Sequence, residues 1–77
     1  MQREKISIHT PFIKLDQLLK FSGIAETGGD AKDMIYDGIV SVNKKAATER
    51  GKKIYPGDVV EVRFDDELLV IDVTADE

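Results

Sequence analysis

Residues 35–43, Ile35-Tyr36-Asp37-Gly38-Ile39-Val40-Ser41-Val42-Asn43, hold the point at which the pattern of this chain changes. Before Gly38, the apolar residues Ala31, Met34 and Ile35 recur at the spacing of one helix face. After it, Ile39 to Val42 reads as a strand, so Gly38 is the expected helix terminus and the fold mixes both element types.

Upstream, Leu15, Leu18 and Leu19 fall at i, i+3 and i+4, which predicts a first short helix ending near Ser22 with Gly23 just beyond it. Asp16 in its first turn suits the helix dipole. Between the helices, Thr27-Gly28-Gly29-Asp30 reads as a turn in which Asp30 caps the second helix. Helices of about two turns are unstable alone, since isolated ones need about 12–15 residues, so these two must pack on each other and on a sheet.

Around this centre the rest reads as strands. Lys5-Ile6-Ser7-Ile8-His9 alternates with period two until Thr10-Pro11 interrupts it. Ile54-Tyr55, the turn Tyr55-Pro56-Gly57-Asp58, Val59 to Phe64 and finally Leu68 to Val73 follow downstream. Helices precede most strands, so the expected class is α+β: two short packed helices with a small antiparallel β-sheet and extra strands at both termini. There is no internal repeat and no linker, and residues 1–77 read as a single domain.

The chain has 77 residues and no cysteine, so disulfides and thiolate metal sites are excluded. A domain near this size buries roughly 60–65% of the surface its unfolded chain exposes, which leaves no room for a large enzyme cleft. No apolar run approaches the roughly 20 residues of a membrane span, and the first ten residues lack the apolar core of a secretory signal. The expectation is a cytoplasmic, monomeric protein without membrane contact.

Fifteen acids against eleven bases give a net charge of −4, which speaks against a polyanion partner until the charge is placed. Residues 1–64 carry all eleven bases and nine acids, whereas residues 65–77 carry six acids and no base. Within 43–53, Lys44, Lys45, Arg50, Lys52 and Lys53 face a single acid, Glu49. Fields decay over about 8–10 Å at physiological salt, so such a local stripe governs phosphate binding more than net charge does. The competing reading is a polar loop that carries lysines for solubility. Lys14, Lys20 and Lys32 flank the helices and extend the stripe if those helices pack beside it.

Catalytic constellations are missing from the sequence. The run Asp65-Asp66-Glu67 reads as a solvated turn, and His9 is the only histidine. It has no cysteine or second histidine with which to bind zinc, and Ser7, Ser22 and Ser41 form no nucleophile motif. Gly28-Gly29 lacks the Gly-Lys-Ser/Thr of a phosphate loop. No enzyme activity, metal or cofactor is expected.

Taken together, Leu15-Asp16-Gln17-Leu18-Leu19, the helix opening at Gly29-Asp30-Ala31, the stretch from Ile35 to Asn43 and Pro56-Gly57-Asp58-Val59-Val60 resemble a known pattern. Their order and spacing are similar to those of the RNA-binding domain found in ribosomal protein S-four, with its alpha-L motif. The Gly28-Gly29 turn and Arg50-Gly51-Lys52-Lys53 look more narrowly like its small stand-alone bacterial YaaA-like branch. The match spans roughly residues 12 to 62, leaving an acidic C-terminal strand and tail over 65–77.

The resemblance implies a helix pair on a β-hairpin with RNA held across both, and no catalysis. Carried over position by position, Lys14-Leu15-Asp16 stands where many relatives have Arg-Leu-Asp, which keeps the charge and loses the guanidinium fork. Thr27-Gly28-Gly29 stands where many have a Ser-Arg pair; the helix N-terminus at Gly29 would receive a phosphate instead, with Lys32 one turn in. Val42-Asn43-Lys44 replaces the usual Val-Asn-Gly, and lysine is less at ease than glycine in left-handed backbone, so a longer or differently shaped turn is expected.

The expected RNA-binding residues are therefore Lys14, Lys20, Gly29, Lys32, Lys44, Lys45, Arg50, Lys52 and Lys53, acting on structured RNA, ribosomal in kind, or on a ribosomal subunit. Readout by shape and backbone is expected, because Tyr55 is the only aromatic near the basic segment and Tyr36 is expected to be partly buried. Leu68, Val70 and Val73 would pair with the strand around Ile6 and Ile8, placing the tail's acids away from the RNA face. The alternative function is an adaptor that binds another protein through this acidic C-terminal hairpin.

Overall fold

The computed structural model describes residues 1–76. In chain order its elements are β1 (Gln2–Ile8), β2 (Ile13–Lys14), α1 (Leu15–Phe21), α2 (Gly28–Tyr36), β3 (Val40–Val42), β4 (Lys45–Ala46), β5 (Lys53–Ile54), β6 (Val59–Arg63) and β7 (Leu68–Ala75). Five strands form one sheet in the order β1-β7-β6-β3-β4, while β2 and β5 form a separate two-stranded ladder. The α+β class holds.

Alternation sends Val40 and Val42 of β3, Val60 and Val62 of β6 and Ile71 and Val73 of β7 into the core. There they join Leu15, Leu18 and Leu19 of α1 and Ala31 and Ile35 of α2, so one continuous core lies between the sheet and the helix pair. Both helices stop at the expected glycines. Gly23 and Gly38 take φ of 84° and 79°, left-handed backbone open to glycine at no steric cost.

The N-cap of α2 is Thr27, not the expected Asp30. Thr27 is extended and its hydroxyl accepts the Asp30 N–H at 3.1 Å, which puts Asp30 inside the first turn, where its charge favours the dipole. Thr27→Ala is expected to cost about 1 kcal/mol. That lowers the melting temperature by about 4–8 °C, with Thr27→Ser near the parent in the same thermal scan.

The sheet is mixed rather than wholly antiparallel, because β1 runs parallel to β7 at its edge, with Arg3 opposite Val70 and Ile6 opposite Val73. Strand β7 follows β6 through a short turn closed by the Phe64 N–H to the Glu67 carbonyl at 2.8 Å, which forces that pair antiparallel. Strand β1 reaches β7 only after the rest of the chain, the long crossover that a parallel pair requires. The expected pairing of the tail with the Ile6–Ile8 region is present. Arg3 ties the edge, donating from Nε and Nη2 to Asp72 at 2.7 and 2.8 Å; that hydrogen bond, then the carboxylate charge, raises the guanidinium pKa from its ordinary value.

Turn Asn43-Lys44 is also tighter than expected. Two residues suffice, with φ of 51° and 72°, the backbone of a type I′ hairpin. Partners hold it there. Asn43 donates from Nδ2 to Asp58 at 3.0 Å and accepts the Val59 N–H at 2.9 Å, and Lys44 Nζ lies 3.0 Å from Glu61 Oε1.

Candidate nucleic-acid interface

The first turn of α1 has no side-chain cap at Lys14. Its free N–H groups are met instead by the basic loop: Leu15 donates to the Lys52 carbonyl at 2.9 Å and Asp16 to the Arg50 carbonyl at 3.0 Å. Arg50 Nε also lies 3.7 Å from Asp16 Oδ2. The loop is thereby fastened across the start of the helix.

One register up, β2 and β5 pair Ile13 with Ile54 and Lys14 with Lys53. Residues directly opposite in an antiparallel ladder share a face, so Ile54 enters the core while Lys14 and Lys53 stand together on the exposed side. Like charges placed this way weaken a ladder. Neither ammonium forms an ion pair with an acid among the described residues. Lys14, Arg50, Lys52 and Lys53 are thus gathered on one exposed rim, and Lys45 shares a shallow groove with Lys52 and Glu49 next to it.

The other expected residues fall elsewhere. Lys44 stands apart from that rim: its exposed ammonium pairs with Glu61, a residue only 7% exposed on the sheet side away from the helices. Lys44→Ala leaves that carboxylate without its partner. The expected result is a stability loss of about 1 kcal/mol, read as a lowered midpoint in urea unfolding. Lys20 is exposed in the last turn of α1, and Lys32 of α2 sits with Nζ 5.6 Å from the Tyr36 ring centre. Gly29 lies in the first turn of α2, where the Gly28 and Gly29 N–H groups have no hydrogen-bond partner among the described residues. No ion pair or hydrogen bond links these three residues to the basic loop among the described residues.

Tyr36 is 62% exposed, against the expected partial burial, because it lies at the last position of α2 while Ala31 and Ile35 take the core-facing stripe. Phe12 was not singled out by the sequence at all. Its ring centre lies 5.9 Å from that of Tyr55, tilted by 52°, and Lys53 Nζ lies 4.8 Å from the Phe12 ring centre. A residue just after Pro11 in an interrupted pattern reads as loop, and a two-residue strand such as β2 carries no periodicity that would place it.

Among the described residues no group of three or more histidine, cysteine, aspartate or glutamate side chains could hold a metal ion. No helix among the described residues is long and apolar enough to cross a membrane.

A family model for the S4 domain matches residues 6–71, from β1 into β7. The chain belongs to the S4 domain family. This S4 domain is also 44% identical, over 57 residues, to a Bacillus subtilis (strain 168) protein named "Probable ribosome maturation protein RlbA". That alignment covers 74% of this chain and 80% of the relative. In this S4 domain the match runs past residues 12–62 at both ends, taking in residues 6–8 of β1 and 68–71 of β7.

Proposed function

We propose that this S4 domain is a non-catalytic RNA-binding module acting in the cytoplasm on structured ribosomal RNA, as a monomer, during ribosome maturation. The observation that carries the reading is the register of Lys14 against Lys53 beside Arg50 and Lys52, four cations gathered where fold stability alone would spread them. Phosphate is the natural counter-ion for such a rim. Lys45 widens it along the groove, and Lys20, Lys32 and the Gly29 end of α2 are further contacts across the helix pair. The name of the relative supports the ribosomal choice of RNA.

The test is titration of ribosomal RNA fragments at three salt concentrations, with co-sedimentation on ribosomal subunits. Each duplex phosphate contact contributes about −0.9 to the slope of log K against log salt, so four or five contacts give a slope of about −4. Undetectable binding at low salt defeats the reading. The adaptor alternative, through the exposed turn at Asp65 and Asp66, would leave ribosome association intact after the basic rim is reversed.

A further inference from the structure

We propose that Tyr55, buttressed by Phe12, is a stacking platform for one unpaired nucleobase. The RNA at the basic rim is then a bulge, loop or duplex end rather than an uninterrupted helix; this rests on the RNA-binding reading above. Tyr55 is 47% exposed although its neighbour Ile54 is fully buried, so its ring contributes little to the core. It is nevertheless held in place. Its N–H donates to Asp58 Oδ2 at 2.8 Å, and its carbonyl accepts the Asp58 N–H at 3.0 Å.

The other Asp58 carboxylate oxygen accepts from Asn43 Nδ2 at 3.0 Å, and the Gly57 N–H donates to the Val73 carbonyl at 2.7 Å. Pro56 confines the Tyr55 backbone to extended conformations. A ring carried on a turn clamped this way loses little freedom when a ligand covers it. Phe12 packs against the ring, and Lys53, opposite Lys14 in the ladder, holds its ammonium 4.8 Å from the Phe12 ring centre.

An aromatic pair with an ammonium beside it fits a flat ring joined to a phosphate, which is the form of a nucleotide taken out of its stack. It does not fit a basic peptide. The cations position the backbone through charge, and the ring discriminates by whether a base is free to lie on it.

The experiment compares two RNA hairpins of equal length, one fully paired and one with a single-nucleotide bulge, at one salt concentration. Parent protein is expected to favour the bulged hairpin by about five- to a hundredfold. Tyr55→Ala removes that preference while retaining the parent's affinity for the paired hairpin, and Tyr55→Phe keeps the preference. With Tyr36→Phe as background, Tyr55 is the only tyrosine of a chain without tryptophan, and its emission is quenched by the bulged hairpin.

Equal affinity of the parent for both hairpins, or a preference that survives Tyr55→Ala, overturns the proposal and leaves RNA binding standing. Failure to bind either hairpin overturns both. If Tyr55→Ala does not fold, the Tyr55 quenching and the Tyr55→Phe comparison still decide.

Discussion

Reversing Lys52 and Lys53 together to glutamate is expected to lower RNA affinity on the order of a hundredfold near physiological salt, and to flatten the salt dependence by about two units of slope. Both side chains are exposed, and their structural work is done by backbone: the Lys52 carbonyl accepts the Leu15 N–H, and Lys53 pairs through the β2–β5 ladder. Unfolding midpoints therefore stay near the parent value. On the proposed reading two phosphate contacts are lost, and two new carboxylates on the loop that carries Glu49 add repulsion. Filter binding or fluorescence anisotropy at three salt concentrations reads both quantities. A double variant that binds ribosomal RNA fragments as tightly as the parent would exclude the basic rim as the contact surface.

Ile54→Ala should give the largest loss of stability tied to the site, about 2–5 kcal/mol for a fully buried isoleucine whose cavity cannot close. Total stability for a chain of 77 residues is about 4–12 kcal/mol at typical values per residue, so the variant loses a large share of it. Ile54 pairs with Ile13, and that contact is what seats Lys53 against Lys14. Urea unfolding should show a lowered midpoint with an unchanged slope, and Ile54→Val should lose only about 0.5–1.5 kcal/mol. RNA affinity should fall with the alanine variant although no charge has changed. A midpoint equal to the parent's would mean that Ile54 is not the anchor of the ladder.

The two helices were legible from apolar residues at helical spacing and from glycines at 23 and 38, where left-handed backbone ends each helix, although the start of α2 lies three residues earlier than its spacing suggests. Strands β3, β6 and β7 were legible for a similar reason, since each carries enough apolar residues to reveal its inward face. The ladder of β2 with β5 was not. Each strand is two residues long, and they pair across about forty residues of sequence. The cap of α1 was hidden too, because the groups that supply it are backbone carbonyls of Arg50 and Lys52, which any residue type possesses.

The Asn43-Lys44 turn shows the converse case, where a local preference spoke clearly and tertiary partners overruled it. Lysine disfavours a left-handed turn, yet Asn43, Asp58 and Glu61 together hold that conformation. Eight of the nine residues expected to contact RNA are cations legible in the sequence, and their grouping on one rim depends on pairings the sequence does not show. Lys14, Lys45, Arg50, Lys52 and Lys53 cluster there; Lys20, Gly29 and Lys32 stay with the helices. Phe12 was invisible because its partner, Tyr55, lies beyond the whole helical half of the chain.

The edge strand β1 has β7 as its single neighbour in the sheet, and its first pairing, Gln2 with Leu69, joins residues made far apart during translation. At about 5–20 residues per second, Gln2 waits roughly 3 to 13 seconds for Leu69 to be made. During that interval Ile6 and Ile8 have no strand to lie against. Synthesis order thus makes the closing of this edge a late event, and the nascent chain carries an unpaired apolar strand until β7 emerges.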